Sequence, residues 1–354
     1  MMEEERKVDT RKTILDGIAG AKERLGKDLL LLAHFYQHDD IVRYADFVGD
    51  SLQLAEKAAA SPDARYIVFC SVSFMAETAR ILCRPDQEVL HPEPFARCPL
   101  ANMASIEQVE KAWEALSSLG KKIIPVVYVN SNADLKAFCA RHDGMVCTSA
   151  NVKKIFSHVL SRDASVFFFP DENMGRNVSV DLGLSAEEMF LWDPERGLAT
   201  TGREAPDKAR VFLWEGFCIV HRVMGASDLA RVRAEHPGIT VIVHPECTPE
   251  VYSQADLSGS TNFIKATVDK SPEGSKWAVG TEWNFVNRIK RENPGKLVIP
   301  LREERCKEMA KVTPEKLLRV LTGLVEGELP GRVAVDEAVA HEARIALARM
   351  LEIK

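Results

Sequence analysis

The 354-residue sequence has no CxxC pair, no excess of positive charge and no apolar run near the 18 or more residues that a membrane span requires. Each absence excludes something. The eight cysteines, at 70, 83, 98, 139, 147, 218, 247 and 306, are spaced wrongly for a zinc ribbon, and a chain of this size in a reducing compartment rarely relies on disulfides. A net charge of −6 recruits neither a nucleic acid backbone nor an anionic membrane, so neither is expected as a partner. The opening MMEEERKVDTRKT has no apolar stretch after its charges, and the expected location is the cytoplasm. No low-complexity linker interrupts the chain, so fused lobes are expected rather than beads on a string.

What is present repeats. LLLLAHFYQHDDIVRYADFVGDSLQLAEKAA, at 29–59, reads as a buried strand ending in polar groups, an amphipathic stretch, and a turn that opens a helix. IIPVVYVNSNADLKAF followed by CTSANVKKIF has the same plan, and so has ITVIVHPECTPEVYSQADLSGSTNFIKA. From His34, Asn130 and His244 to the turn serines Ser51, Ser149 and Ser260 the steps are 17, 19 and 16 residues. A further 24 residues lead to Met75, Asn173 and Asn284, each in the next strand-to-helix turn. Alternation of this kind predicts mainly parallel sheets covered by helices on both faces, in three copies of one unit. The second copy is interrupted at 175–208, a stretch without counterpart that reads as a surface excursion or oligomer contact. The tail supplies two amphipathic helices, expected to pack back on the first lobe.

Each copy closes on one cysteine. From the strand-end residue to Cys98, Cys218 and Cys306 the distances are 64, 88 and 62, and the surplus in the second copy fits inside the insertion. If three lobes pack around a pseudo-threefold axis, three thiols converge. Three thiolates without a fourth partner suit a [4Fe-4S] cluster with one open iron, a Lewis acid able to hold a substrate oxygen. A three-cysteine zinc site and plain buried cysteines are the alternatives. Strand-end residues converge too, because open α/β sheets bind ligands outside the carboxyl ends of their strands. His34, Tyr36, Tyr128, Asn130, His244 and Glu246 then form an arc of acid–base and hydrogen-bonding groups. Ser51, Ser149, Ser260 and Thr261 are expected at helix N-termini, which favour carboxylate or phosphate, although capping alone accounts for any one of them.

The segments AHFYQ, ADFVGDSLQLA, FMAETARIL, CPLANM, YVNS, CTSAN, PDENMGRN, CIVH, VHPEC, GST and GTE, in that order, resemble the quinolinate synthase (NadA) family over nearly the whole chain. The resemblance implies three pseudo-symmetric three-layer αβα domains arranged as a triangle around a central site. Placed on this sequence they are 1–97 with 307–354, 98–217 including the insertion, and 218–306. It implies condensation of iminoaspartate with dihydroxyacetone phosphate to quinolinate, with a [4Fe-4S] cluster on Cys98, Cys218 and Cys306. It also implies a catalytic set of Tyr36, Glu246 and His34, with proton transfers by Tyr36 and Glu246, and substrate contacts from His34, Ser51, Tyr128, Asn130, Ser149, His221, His244, Ser260 and Thr261. A partner oxidase would supply the iminoaspartate. The chain departs from some relatives in lacking a CxxC near Cys306, so a redox disulfide there is not expected. Cys147 and Cys247 fall outside the implied ligand set. An aconitase-type hydro-lyase and a non-enzymatic cluster sensor are the rival classes.

Overall fold

The structure, a computed structural model, describes residues 2–198 and 208–353. It divides into two compact units, Met1–Arg97 with Arg305–Val335, and Cys98–Glu304 with Asp336–Lys354. The first holds one sheet of four parallel strands: β1 Leu29–His34, β2 Phe47–Gly49, β3 Tyr66–Cys70 and β4 Glu88–Leu90, in the order β2-β1-β3-β4. The second holds two. One contains β5 Ile123–Tyr128, β6 Met145–Cys147, β7 Ser165–Phe169, β8 Met189–Asp193, β9 Gly197–Leu198 and β10 Val211–Trp214, in the order β6-β5-β7-β10-β8-β9. The other contains β11 Thr240–Val243, β12 Leu257–Ser258, β13 Lys276–Gly280 and β14 Leu297–Pro300, in the order β12-β11-β13-β14. All pairings are parallel except the hairpin of β8 and β9. With β8 and β9 set aside, the three sheets share one order, and helices flank each.

LLLLAH of β1 and SVFFF of β7 are buried along their whole length inside their sheets, which is why they read as apolar runs without alternation. The repeat extends to backbone detail. Asp46, just before β2, receives the Leu31 N–H on its carboxylate at 2.7 Å, and its own N–H donates to the Leu31 carbonyl at 2.8 Å. Asp256, just before β12, does the same with Val241, at 2.7 and 2.9 Å. In the second sheet the equivalent pair is Gly144 and Pro125, by the register Leu32↔Phe47, Val126↔Met145 and Ile242↔Leu257. Proline has no N–H to offer, so an aspartate there would have no donor to meet. Glycine instead admits the Pro125 carbonyl oxygen, which would lie 2.1 Å from a Cβ.

Two expectations are corrected. Residues 175–181 complete the helix Glu172–Asp181, which matches Ser73–Leu82 and Trp283–Glu292 in the other copies. Of the rest of the insertion, 189–193 is not a surface excursion: β8 pairs with the free side of β10, from Val211↔Met189 to Trp214↔Trp192, and widens the sheet. Its apolar MFLW meets Phe212 through Phe190, with ring centroids 6.2 Å apart. Residues 199–207 lie outside the described residues. The tail helices also separate. Pro314–Val325 packs on the first helix, Met2–Leu25, within the first unit. Glu337–Glu352 instead packs on the helix Ala133–Arg141 and on β6 in the second. Its buried face is Ala343, Ala346, Leu347 and Met350, and Arg349 donates to the Gly144 carbonyl at 2.7 Å. Amphipathic spacing announces a buried face but not the surface that covers it.

Removing the strand-start carboxylates should leave an amide unpaired. Asp46→Ala and Asp256→Ala are each expected to cost about 1–2 kcal/mol, read from the urea midpoint. A variant as stable as the parent would show that water replaces the carboxylate without penalty.

Candidate active site

The strand ends of the second unit collect the chemistry. Glu246 and His244 follow β11, and Tyr128 ends β5. Cys218 is the N-cap of the short helix Ile219–Arg222 that follows β10, and His221 lies inside it. His221, His244 and Glu246 are almost completely buried. The His221 and His244 rings stack, with centroids 4.6 Å apart and planes at 16°, and His221 Nδ1 lies 2.7 Å from Glu246 Oε2. One donor atom from each of Cys218, His221 and Glu246 lies within 4.8 Å of the others, a group with the composition of a metal site. Burial would push the Glu246 carboxyl up. The adjoining histidines, His244 foremost, and contacts from His221 and Tyr128 hold it below the ordinary carboxylate range instead.

A shared local device orients two of the histidines. Tyr36 N–H donates to His34 Nδ1 at 3.1 Å, and Glu246 N–H donates to His244 Nδ1 at 3.3 Å. A neutral imidazole that accepts at Nδ1 carries its proton on Nε2, so the far edge of each ring is a donor. The Tyr36 ring stands edge-on to His34, at 4.6 Å and 86°. In the same unit, Gln37 Nε2 donates to the Met309 carbonyl at 3.1 Å, and the Arg97 N–H donates to Glu308 at 3.0 Å. The stretch after Tyr36 and the stretch after Cys306 are thereby joined within the first unit. In the second, Met103 accepts from Trp214 Nε1 at 2.8 Å, and its sulfur lies 3.3 Å from the Phe217 N. That methionine, five residues past Cys98, holds the turn that leads to Cys218.

The serine tags divide. Ser51, Ser149 and Ser260 each stand two residues beyond the last register pair of their sheet edge, His34↔Gly49, Tyr128↔Cys147 and Val243↔Ser258. They are therefore equivalent, but by the same register the counterpart of His34 is Tyr128 rather than Asn130 in the second copy and Val243 in the third, so His244 sits one residue beyond its counterpart. Helix positions also differ. Asp50 caps the helix Ser51–Ala59, so Ser51 is its first residue, whereas Ser260 is itself the cap of Thr261–Lys270 and accepts from the Phe263 N–H at 3.3 Å. Ser149 does not sit at a helix start: Asn151 is the cap there, and Ser149 lies in the turn before it. Asn130 is in the loop after β5, its Oδ1 buried and without a hydrogen-bond partner among the described residues. A cavity of about 410 Å³ bounded by Lys122, Asp143, Arg162 and Arg349 lies at the opposite, amino-terminal end of β5–β7, and none of the expected site residues lines it.

The chain matches the family described as quinolinate synthetase A protein over residues 16–352. It is 45% identical over 335 residues to the quinolinate synthase of Geobacillus kaustophilus, covering 94% of this chain and 91% of the relative. The quinolinate synthases of Acidobacterium capsulatum and Rhodopirellula baltica are each 44% identical over 95% of this chain, and the matches cover 92% and 90% of their lengths. The chain belongs to the quinolinate synthetase A family.

Two residues of the site carried no role in the sequence reading, although both lie in segments that resemble the family, PDENMGRN and GTE. Asp171 is fully buried and caps the helix Glu172–Asp181, its Oδ1 accepting from the Met174 N–H at 2.8 Å while Oδ2 has no partner among the described residues. Burial and then the neighbouring Glu246 push its carboxyl up, opposite in direction to Glu246 itself. Thr281 is fully buried and its Oγ1 is 3.0 Å from His221 Nε2. The 24-residue step to the second helix start was the signal that pointed near both.

The eight cysteines separate by exposure. Cys98, Cys218 and Cys306 are partly exposed, and the other five are buried. Burial pushes the thiols of Cys70, Cys139, Cys147 and Cys247 up, out of the range in which a thiolate forms. Iodoacetamide applied anaerobically to metal-free protein at about pH 8 should therefore label Cys98, Cys218 and Cys306 well ahead of the rest. Peptide mass spectrometry reads the order, and early labelling of Cys147 or Cys247 would contradict it.

Proposed function

We infer that the protein is a quinolinate synthase of NAD biosynthesis, condensing iminoaspartate with dihydroxyacetone phosphate to give quinolinate, phosphate and two waters. The observation that carries this reading is the buried assembly of His221, His244, Glu246 and Tyr128 beside Cys218, on the strand ends of a chain that belongs to this family. We read the second compact unit as two αβα lobes, 98–217 and 218–306, and the three lobes as pseudo-symmetric, with the first formed by 1–97 and the segment 307–335. A cytoplasmic location and transient contact with an oxidase that supplies iminoaspartate belong to the same reading.

Cys98, Cys218 and Cys306 are the residues that would hold a [4Fe-4S] cluster. Their partial exposure, against five buried thiols, fits ligands rather than core side chains. When bound, such a cluster with one iron lacking a protein ligand supplies Lewis acidity toward a substrate oxygen. A single metal ion held by Cys218, His221 and Glu246 is a second reading, suggested by the spacing of their donors. Nε2 of His221 is engaged by Thr281, so Nδ1 is the nitrogen that would face such an ion.

The residues divide the remaining work. Nε2–H groups of His34 and His244 and the hydroxyls of Ser51, Ser149, Ser260 and Thr261 are donors suited to the two carboxylates of iminoaspartate and to phosphate. Ser260 accepts its cap bond through a lone pair and keeps its O–H to donate. Asn130 Oδ1, buried and unpartnered, suits an N–H or O–H of the reactants rather than a carboxylate. Glu246, held ionised by its histidines, is the base, and Tyr36 and Tyr128 carry phenolic protons that isomerisation and ring closure require.

Anaerobic assay of the purified protein should show iron and sulfide together with quinolinate formation from the two substrates; quinolinate absent from an iron-loaded sample would end the reading. Tyr36→Phe is expected to keep the iron–sulfur absorbance and lose about 10²-fold or more in turnover. Cys218→Ala should abolish that absorbance, whereas Cys139→Ala, in the buried core, should retain it.

A further inference from the structure

Lys136, in the helix Ala133–Arg141 that follows β5, is a charged side chain with no measurable exposure. Two costs attach to that place. An ammonium taken out of water loses hydration that only well-placed acceptors replace, and near the amino-terminal end of a helix it also faces the positive end of the helix dipole. What it meets there is Ser131, itself fully buried: Nζ donates to the Ser131 carbonyl at 2.5 Å and to the Ser131 hydroxyl at 3.3 Å. The Ser131 N–H in turn donates to the Val129 carbonyl at 2.8 Å, closing a three-residue turn with Asn130 at its centre. The near side of this turn is tied to the sheet, because the Val129 N–H donates to the Cys147 carbonyl at 2.8 Å. Its far side is gripped by the lysine.

The other two copies show the same place built without that cation. By the register of the sheet edges, Ser131 corresponds to Gln37 and Glu246, and Asn130 to Tyr36 and Pro245. In both of them the chain turns over four residues: the Gln37 N–H donates to the His34 carbonyl, and the Cys247 N–H to the His244 carbonyl, each at 3.0 Å. Five residues beyond Gln37 and Glu246 stand Val42 and Val251, at the place that Lys136 takes after Ser131. An apolar side chain therefore suffices here when the turn is the wider one. The lysine accompanies the tighter turn, and the tighter turn carries Asn130, whose Oδ1 is buried and without a hydrogen-bond partner among the described residues.

We propose that Lys136 is a positioning residue whose buried ammonium clamps the Ser131 carbonyl, fixes the turn 129–131, and so holds the Asn130 amide at the β5/β7 crevice for the reactants. The proposal rests on the reading of Asn130 as a substrate contact. Lys136 acts through the turn, and no reacting atom is assigned to it.

Lys136→Met removes the charge and the donor and keeps an unbranched side chain of similar volume. It should lower kcat/KM about tenfold in the parent, the scale of one buried hydrogen bond left unmade. In an Asn130→Ala background the same change should cost less than about twofold, because a residue that acts through Asn130 has nothing left to position. A lysine that only stabilised the fold would cost the same factor in both backgrounds, and that result would overturn the proposal, as would unchanged kinetics in the single variant. A crystal structure of the Met variant should show the Ser131 carbonyl and the Asn130 side chain turned from their present places, and an unmoved turn would also overturn it. If the Met variant does not fold, Lys136→Gln, uncharged and one bond shorter, is read in the same way. Should the parent protein make no quinolinate, the functional reading fails by itself, and the conformation of the turn in the variant still decides whether Lys136 holds it.

Discussion

Parallel pairing constrains everything else in this protein. Two parallel strands cannot be joined by a tight turn, so each connection must leave the carboxyl end of one strand, cross the sheet as a helix, and return to the amino end of the next. Every strand of a parallel sheet therefore ends on the same side. Repeating the order β2-β1-β3-β4 three times creates three crevices of the same kind, at the boundaries β1/β3, β5/β7 and β11/β13. Residues that never adjoin in sequence, such as Glu246 and His221, meet because both stand just beyond strand ends.

The copies share this frame but not its contents. The first and third keep an aspartate that ties the start of the second strand to the first, while the second uses Pro125 and Gly144, a matched pair in which one residue lacks the donor and the other the acceptor. The second sheet grows outward by β8 and β9, an edge extension that leaves the β5/β7 crevice untouched. In the third copy His244, Glu246, Ser260, Thr261, Thr281 and Glu282 are all at most 4% exposed. Burying so many polar groups is costly unless they bond one another. Here the Glu246 carboxylate, the stacked histidines and Thr281 satisfy much of that demand among themselves.

Burial also sorts groups of identical chemistry into different roles. A thiol enclosed in an apolar core stays protonated and inert, and one left partly open can become a thiolate ligand. The same rule separates the two carboxyls near Cys218. Glu246 is surrounded by donors that favour its ionised form, whereas Asp171, enclosed and beside that charge, is driven the other way.

The apolar strand runs, the turn residues and the triplicate spacing were legible in the primary sequence because they are local or periodic. His34, Tyr36, His244 and Glu246 could be read as strand-end groups for the same reason. Other matters had no local signature. Amphipathic spacing could not say that Glu337–Glu352 lies on the second unit, since the covering surface is chosen by shape rather than by period. Nor could it say that MFLW at 189–192 is a sheet strand rather than a surface excursion, because a single short apolar run gains its meaning only from the free edge of β10 beside it. Asp171 and Thr281 were visible as letters in matching segments, but their importance depends on what stands opposite them. Hydrogen bonds between residues 60 positions apart, such as Thr281 to His221, are decided by the packing of strands against one another, and only the tertiary structure contains that information.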